Sequence, residues 1–432
     1  MFPTLKAAFQ DRDIRRRIFF TLGMLIVFRI GAHITVPGVN AQAIQTLANS
    51  GLFGLLNTFG GGALQNYSIF SLGVSPYITA QIVMQLLQME IIPIFTEWSK
   101  QGEVGRRKIN KWTRYLSVAV GFMQAIALSV GFNSLSQFGL VQNPSFTTYL
   151  LIALVMTAGT MFVVWVGEQI TQFGIGNGVS LIIFSGIVAR IPKDIYTNVQ
   201  KYFINAASQD ALMKHSLIGV GLLLAMLLLI ILVVYINQAE RQIPVRYAKR
   251  ANAIVQKSHM PLKINSAGVI PVIFASSFIM VPQTVLGLLR NQFGEATWYQ
   301  VTESIFDLQK PAGMVIYALI IILFTFFYSH IQINPERVAE NFQKSGAYIP
   351  SVRPGLATER YIGHMLNKLS TVGSVFLMAI SVLPLLASYF FGLSRTFGLG
   401  GTSLLIVVGV ALDTAKQIEG RLIRRRYVGF IH

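Results

Sequence analysis

Long apolar runs alternate with short basic blocks along the whole chain. The runs fall near 18–36, 72–92, 115–133, 149–167, 178–191, 216–236, 267–289, 312–332, 370–391 and 401–417. A helical crossing of a bilayer needs about 20 apolar residues. Helices satisfy their own backbone polar groups there, where water is missing. The pattern therefore predicts an all-α membrane protein with ten transmembrane helices. Residues 30–89 contain no Asp, Glu, Lys or Arg, and neither do residues 115–167. A charge at the bilayer centre costs about 2.5–3.5 kcal/mol on insertion scales, which explains such spans.

Composition agrees: 53% of the 432 residues are hydrophobic and 12% charged, against about 25% charged in soluble domains. The formal net charge of +18 would suit a nucleic-acid binder, but the cations sit in blocks between apolar runs, which is the signature of membrane orientation. Most Lys and Arg fall in the loops on the amino-terminal side. Lys193, Lys201 and Lys214 in the fifth-to-sixth connection depart locally from that bias. The positive-inside rule then places both termini in the cytoplasm. The amino-terminal stretch resembles a signal peptide, with Arg15, Arg16 and Arg17 before an apolar run. That run contains Arg29 and is too long for a signal core, so it reads as a retained first span.

Candidate chemistry is sparse. There is no cysteine, which excludes disulfides, thiolate metal sites and cysteine nucleophiles. The six histidines are scattered singly, and no phosphate-binding loop, zinc-protease or nucleophile-elbow motif is present. We expect no catalytic residue, metal or cofactor. Arg29 alone lies well inside a span, reading either as a structural cap of carbonyls or as a snorkelling side chain. The segment Gly174-Ile175-Gly176-Asn177-Gly178 lacks dinucleotide-fingerprint spacing and reads as a flexible membrane-edge turn. The basic loops 237–266 and 333–369 are long and rich in Pro and Gly, which suits contact surfaces.

Five crossings on either side of a break near residue 200 permit an inverted repeat, with halves 1–200 and 201–432. The second span of each half carries a matched anomaly, Gly73-Val74-Ser75-Pro76 and Gly268-Val269-Ile270-Pro271. Gly/Pro-interrupted spans in corresponding places point to the functional axis of a membrane protein. Val74, Ile78 and Ile82 recur on one helical face. Such a face either packs ordinarily, or contacts lipid, or lines a constriction that gates by dewetting. Residues 51–67 are uncharged, too short to span and broken by Gly60-Gly61-Gly62. They read as a re-entrant segment or as a surface amphipathic helix. A secondary transporter with inverted repeats shares this topology, but it would need intramembrane acids, and no span has one mid-helix.

Eight stretches in order carry a resemblance: FRIGAHITVPG (28–38), GGALQNYSIFSLGVSPYITAQIVMQLL (61–87), GEVGRRKINKWTRY (102–115), GTMFVVWVGEQITQFGIGNGVS (159–180), YAKR (247–250), PLKINSAGVIPVIFASS (261–277), SGAYIPSVRPG (345–355) and GGTSLLIVVGV (400–410). On these the chain resembles the SecY family, the central pore subunit of the bacterial Sec translocation channel. The resemblance implies a protein-conducting channel of two pseudo-symmetric inverted halves in the cytoplasmic membrane. It implies a pore ring of Val74, Ile78, Ile183, Ile273 and Ile406. A re-entrant plug would include Leu52, Phe53, Leu55, Leu56, Phe59, Gly60, Gly61 and Gly62. A lateral gate would involve Thr79, Ile82, Pro271 and Ser276. Contacts to the SecA motor ATPase or a ribosome would come from Arg106, Arg107, Lys249, Arg250, Lys257, Arg353, Pro354 and Gly355. The other implied partners are the small membrane subunits SecE and SecG, the unfolded preprotein with its signal sequence, and membrane lipids. One departure stands out: after YAKR the loop tip reads ANAIVQ, without a basic pair.

Overall fold

Asp11 begins the first described helix by local chemistry. Its Oδ1 accepts from the backbone N–H groups of Asp13 (2.8 Å) and Ile14 (3.2 Å), satisfying two donors that a helix start leaves open. In this computed structural model, residues 9–40, 60–89, 91–135, 141, 144–200, 209–247, 258–391 and 401–428 are described. In chain order the helices are α1 (Arg12–Gly31), α2 (Ser75–Leu87), α3 (Pro93–Lys100), α4 (Gly102–Leu135), α5 (Phe146–Phe173), α6 (Gly178–Val199) and α7 (Gln209–Gln238). They continue as α8 (Ile270–Phe293), α9 (Thr297–Phe306), α10 (Pro311–Gln332), α11 (Pro335–Ser345), α12 (Leu356–Phe391) and α13 (Gly401–Val428). A helix underlies each predicted span.

Five helical stretches among the described residues are long and apolar enough to cross a bilayer: Gly102–Gly131, Phe146–Phe173, Ile270–Gly287, Pro311–Ser345 and Leu356–Ala387. Others are shorter or carry charge at one end; α2 has 13 residues. The outward surface is apolar. On α7, Leu224, Leu227, Leu228, Ile231 and Tyr235 are all exposed. Such a continuous apolar surface marks contact with lipid or another apolar partner.

The chain divides into two compact units. One comprises Met1–Ile204, Ser276–Met314 and Val410–His432, the other Asn205–Ala275 and Val315–Gly409. In the first, α2 packs on α4, α4 on α5, and α5 on α6 and α1. Close approach there depends on glycine. A Cβ on Gly159 would fall 2.0 Å from the carbonyl oxygen of Ile69, and one on Gly178 would fall 1.8 Å from that of Gly167.

The second unit holds a feature that the helical reading of the chain lacks. The strands β1 (Glu240–Tyr247), β2 (Ser258–Lys263) and β3 (Ala347–Tyr348) form a small antiparallel sheet in the order β2-β1-β3. Ile243, Leu262, Ile349 and Ile362 are buried together, with Met260, Phe342 and Met365 packed against them. Fully burying each such aliphatic side chain stabilises by about 1.5–3 kcal/mol. The two long basic loops thus share one core. Their described residues form a folded platform, a strand-built surface where composition pointed only to contact surfaces.

The Gly174–Gly178 turn also differs from expectation. Three of its backbone N–H groups are held by side chains: Ile175 N–H by Thr21 Oγ1 (3.1 Å), Gly176 N–H by Gln417 Oε1 (2.9 Å) and Gly178 N–H by Thr171 Oγ1 (2.8 Å). Ile14 and Ile175 are buried together, with Ile418 and Leu422 against them. The turn is a junction where α1, α5 and α13 meet, not a flexible edge, because its polar groups are satisfied and its apolar residue is covered.

Candidate functional site

Two helices begin by the same device. Gly73 adopts φ 55°, α2 starts at Ser75, and Pro76 is its second residue. Gly268 adopts φ 64°, α8 starts at Ile270, and Pro271 is its second residue. Glycine supplies the left-handed turn without steric cost. Proline in the first turn lacks only an N–H that the helix could not use. The prolines read from sequence as interruptions are therefore initiators, neither of which kinks its helix.

The aliphatic candidates follow from these starts. Val74 immediately precedes α2, Ile78 lies one turn on, and Ile273 is in the first turn of α8; Ile183 lies on α6 and Ile406 on α13. Their exposures are 0% for Val74, 3% for Ile78, 1% for Ile183, 5% for Ile273 and 1% for Ile406. Ile82 is 4% exposed. These values remove the lipid-contact reading of that face of α2, since a lipid-facing side chain would be exposed here.

Among the gate candidates, Thr79 is half-buried and its Oγ1 donates to the carbonyl of Ser75 (3.1 Å). Ser276 and Pro271 are buried. Composition did not single out Ser75, whose Oγ donates to Sδ of Met280 on α8 at 3.7 Å. Gln124 on α4 is buried as well, and its Oε1 has no partner within the described protein.

Of the plug candidates, Gly60 to Gly62 are described, with Gly61 at φ 67° and Gly62 at φ 84°. Leu52, Phe53, Leu55, Leu56 and Phe59 lie outside the described residues, as do Lys249, Arg250 and Lys257. Immediately after Gly62 the chain is tightly tied. Tyr67 Oη and Ser129 Oγ are 2.8 Å apart, and Val36 N–H donates to the Tyr67 carbonyl (3.0 Å).

The described contact candidates sit on two surfaces. Arg106 and Arg107 are exposed at the start of α4, where Lys108 lies 5.6 Å from the Trp98 ring and Lys111 lies 5.8 Å from that of Tyr115. Arg353 and Pro354 are exposed just before α12. Thr358 Oγ1 donates to the Arg353 carbonyl (2.9 Å), and Gly355 takes φ 96°. The Arg353 turn is thus presented by the β-sheet platform in a fixed backbone shape. Among the described residues no group of three or more His, Cys, Asp or Glu side chains is placed to hold a metal ion.

The SecY family model matches residues 68–415. "Protein translocase subunit SecY 1" of Lactobacillus kefiranofaciens subsp. kefiranofaciens is 54% identical over 431 residues, covering 100% of both chains. The fold is similar to that in "The structure of a protein conducting channel", with TM-score 0.69 and 18% identity over 94% of this chain and 91% of that one. It is also similar to "Sec61 in the Canine ribosome-channel complex from the endoplasmic reticulum", with TM-score 0.64 and 17% identity over 94% and 91%. Mostly helical, with several membrane spans and 54% identical over its full length to a translocase subunit, this chain belongs to the SecY family and is a protein-conducting channel subunit, not an enzyme.

Proposed function

We propose that this channel carries unfolded preproteins across the bacterial cytoplasmic membrane and releases transmembrane segments sideways into lipid. The chain crosses ten times as two inverted halves, 1–200 and 201–432, with both termini cytoplasmic. The observation that carries this reading is the matched start of α2 and α8, Gly73 with Pro76 and Gly268 with Pro271. Corresponding helices that begin by one device, in corresponding halves, suit a seam that opens about a common axis.

In this reading Val74, Ile78, Ile183, Ile273 and Ile406 form the constriction. Aliphatic contacts are non-directional, so such a ring closes around any extended chain without a sequence code. Empty, it holds back ions by dewetting. The segment 52–67 is the plug, and Thr79, Ile82, Pro271 and Ser276 lie along the lateral gate. The spans provide no energy source, so work comes from outside. The SecA motor ATPase or a ribosome docks on Arg106, Arg107, Lys249, Arg250, Lys257 and the Arg353-Pro354-Gly355 turn, and SecE and SecG pack in the membrane. The ribosome-bound canine neighbour supports the second of these dockings.

A stalled preprotein tests the path. The chain has no cysteine, so Ile78→Cys, Ile183→Cys, Ile273→Cys and Ile406→Cys are introduced singly. Each is expected to crosslink to the preprotein. Crosslinks confined to outward positions such as Leu227→Cys would sink the pore assignment.

A further inference from the structure

The apolar stretch of α8 covers the 18 residues Ile270–Gly287, but the helix runs on to Phe293. At 1.5 Å per residue that stretch rises about 27 Å, close to the thickness of a hydrocarbon core. The next apolar stretch begins at Pro311. Between the two lies α9, folded back against α8. Tyr299 is buried, and its Oη donates to the carbonyl of Leu286 (2.9 Å). Gln283 Nε2 donates to the carbonyl of Phe306. Both bonds fasten α9 at the end of the apolar stretch, the level where hydrocarbon gives way to headgroups. All of these residues belong to the first compact unit.

Helical spacing gives α9 three faces. Tyr299 and Phe306 lie on the one held to α8. Trp298, Val301 and Ile305 make an apolar stripe, in which Trp298 is 50% and Val301 54% exposed. Thr297, Gln300 and Ser304 make a polar one; Thr297 and Gln300 are exposed, and Lys310 Nζ donates to Ser304 Oγ (2.7 Å). A helix packed on protein and otherwise in water needs only the first and last of these faces. The apolar stripe calls for a third medium, and α8 shows which. Val281, Val285 and Phe293 are exposed along α8, and the Phe293 ring meets that of Trp298 with centroids 5.5 Å apart. The stripe on α9 therefore continues the apolar surface of a spanning helix, and such a surface faces lipid.

We propose that α9 is an interfacial anchor, whose Trp298–Val301–Ile305 stripe rests in the headgroup boundary of the extracytoplasmic leaflet. The inference rests on the ten-span topology proposed above, which puts the connection from α8 to α10 outside the cytoplasm. The polar stripe faces water, and the bonds to Leu286 and Gln283 tie the outer end of α8 to the same depth. An indole suits this place, because an amphipathic ring prefers the membrane–water interface. Helices of this kind lie with the apolar face sunk about 5–10 Å into the boundary. Many add Lys or Arg to attract anionic lipid, but the only charged residue in α9 is Glu303. Apolar contact and the attachment to α8 hold it there, without help from lipid charge.

The test uses the full chain with its partner subunits in vesicles of phosphatidylethanolamine and phosphatidylglycerol. Since the chain has no cysteine, Trp298→Cys, Val301→Cys, Thr297→Cys and Gln300→Cys each carry one environment-sensitive fluorophore. Thermal midpoints monitor folding. For Trp298→Cys and Val301→Cys the emission is expected to shift to the blue. It should be lost to lipids with a nitroxide near the headgroup, and less to lipids with one at the chain end. Iodide should quench the Thr297→Cys and Gln300→Cys probes and spare the other two. A larger phosphatidylglycerol fraction should leave this pattern unchanged. Equal iodide quenching of all four overturns the anchor, since α9 would then stand in water. A Val301→Cys probe that escapes both iodide and the lipid nitroxides overturns it too, because protein then covers the stripe. A membrane-impermeant maleimide applied to intact protoplasts tests the topology separately, and should label Gln300→Cys. If it does so while the probes show no lipid face, the anchor alone falls. Labelling only after the membrane is opened removes the ten-span topology, and the extracytoplasmic anchor with it.

Discussion

Ser75 and Met280 meet side by side, hydroxyl to thioether, with Oγ 3.7 Å from Sδ. Both residues are buried, so the first turn of α2 and the middle of α8 are joined by a contact weaker than an ordinary hydrogen bond. Along the proposed lateral gate, such a closure is apolar and weak enough to part. Bridging Ser75→Cys to Met280→Cys with a short thiol crosslinker is expected to block release of transmembrane segments into lipid, and reduction of a cleavable linker to restore it. Release at the parental rate from the bridged chain would show that the seam lies elsewhere.

The proposed ring makes a separate prediction. Ile78→Ser and Ile273→Ser replace buried aliphatic surface by hydroxyls that hold water, so the dewetted barrier should fail. Resting ion conductance in planar bilayers is expected to rise. Parental conductance in the double variant would count against these residues as the seal.

Packing at the α5–α6 turn predicts a stability effect with a matched control. In Gly178→Ala the new methyl meets the Gly167 carbonyl at 1.8 Å, and backbone cannot yield as a side chain does. A loss of about 2–4 kcal/mol is expected, toward the upper range for forced overpacking. Gly23→Ala in α1 meets nothing within 4 Å. It should be neutral or gain about 0.5–1 kcal/mol through helix propensity. Thermal midpoints in detergent and steady-state abundance read both.

The platform separates folding from docking. Ile362→Ala removes a fully buried member of the small core and should cost about 2–5 kcal/mol. Motor or ribosome binding should fall with it. Arg353→Glu reverses an exposed charge whose backbone is held by Thr358. It should weaken docking without changing the thermal midpoint. Equal binding by Arg353→Glu and parent, measured by co-sedimentation, would remove that turn from the interface.

By contrast, Arg114 and Glu168 form a two-pronged ion pair (3.0 and 2.7 Å) with side chains 51% and 31% exposed. Solvent screens such pairs, so Arg114→Ala is expected to shift stability by no more than about 1 kcal/mol. A larger loss would reveal that the pair sits in a drier environment than its exposure indicates.

The helices were legible in the sequence because hydropathy and charge exclusion act locally. A run without charge forms a helix in lipid whatever its neighbours do, and a helix indeed lies under each predicted span. The matched Gly/Pro pairs were legible too, but not their meaning. A proline inside a span and a proline in the first turn look alike until φ at Gly73 and Gly268 is known.

Long-range pairing was out of reach. Ile243 and Val245, like Met260 and Leu262, alternate as strand residues do, a local signal that composition overshadowed. That β3, some hundred residues later in the chain, closes onto β1 depends on contacts no window contains. The Gly174–Gly178 turn was misjudged for the same reason, since Thr21 and Gln417 come from far along the chain to hold it. Arg29 is the sharpest case: the sequence by itself determined that a charge lies within an apolar run and either caps carbonyls or snorkels, since a charge left in the apolar interior is costly. Only the tertiary structure decided that the partner is the Gly61 carbonyl, because that acceptor is brought into reach by two glycines, Gly61 and Gly186, packed backbone to backbone.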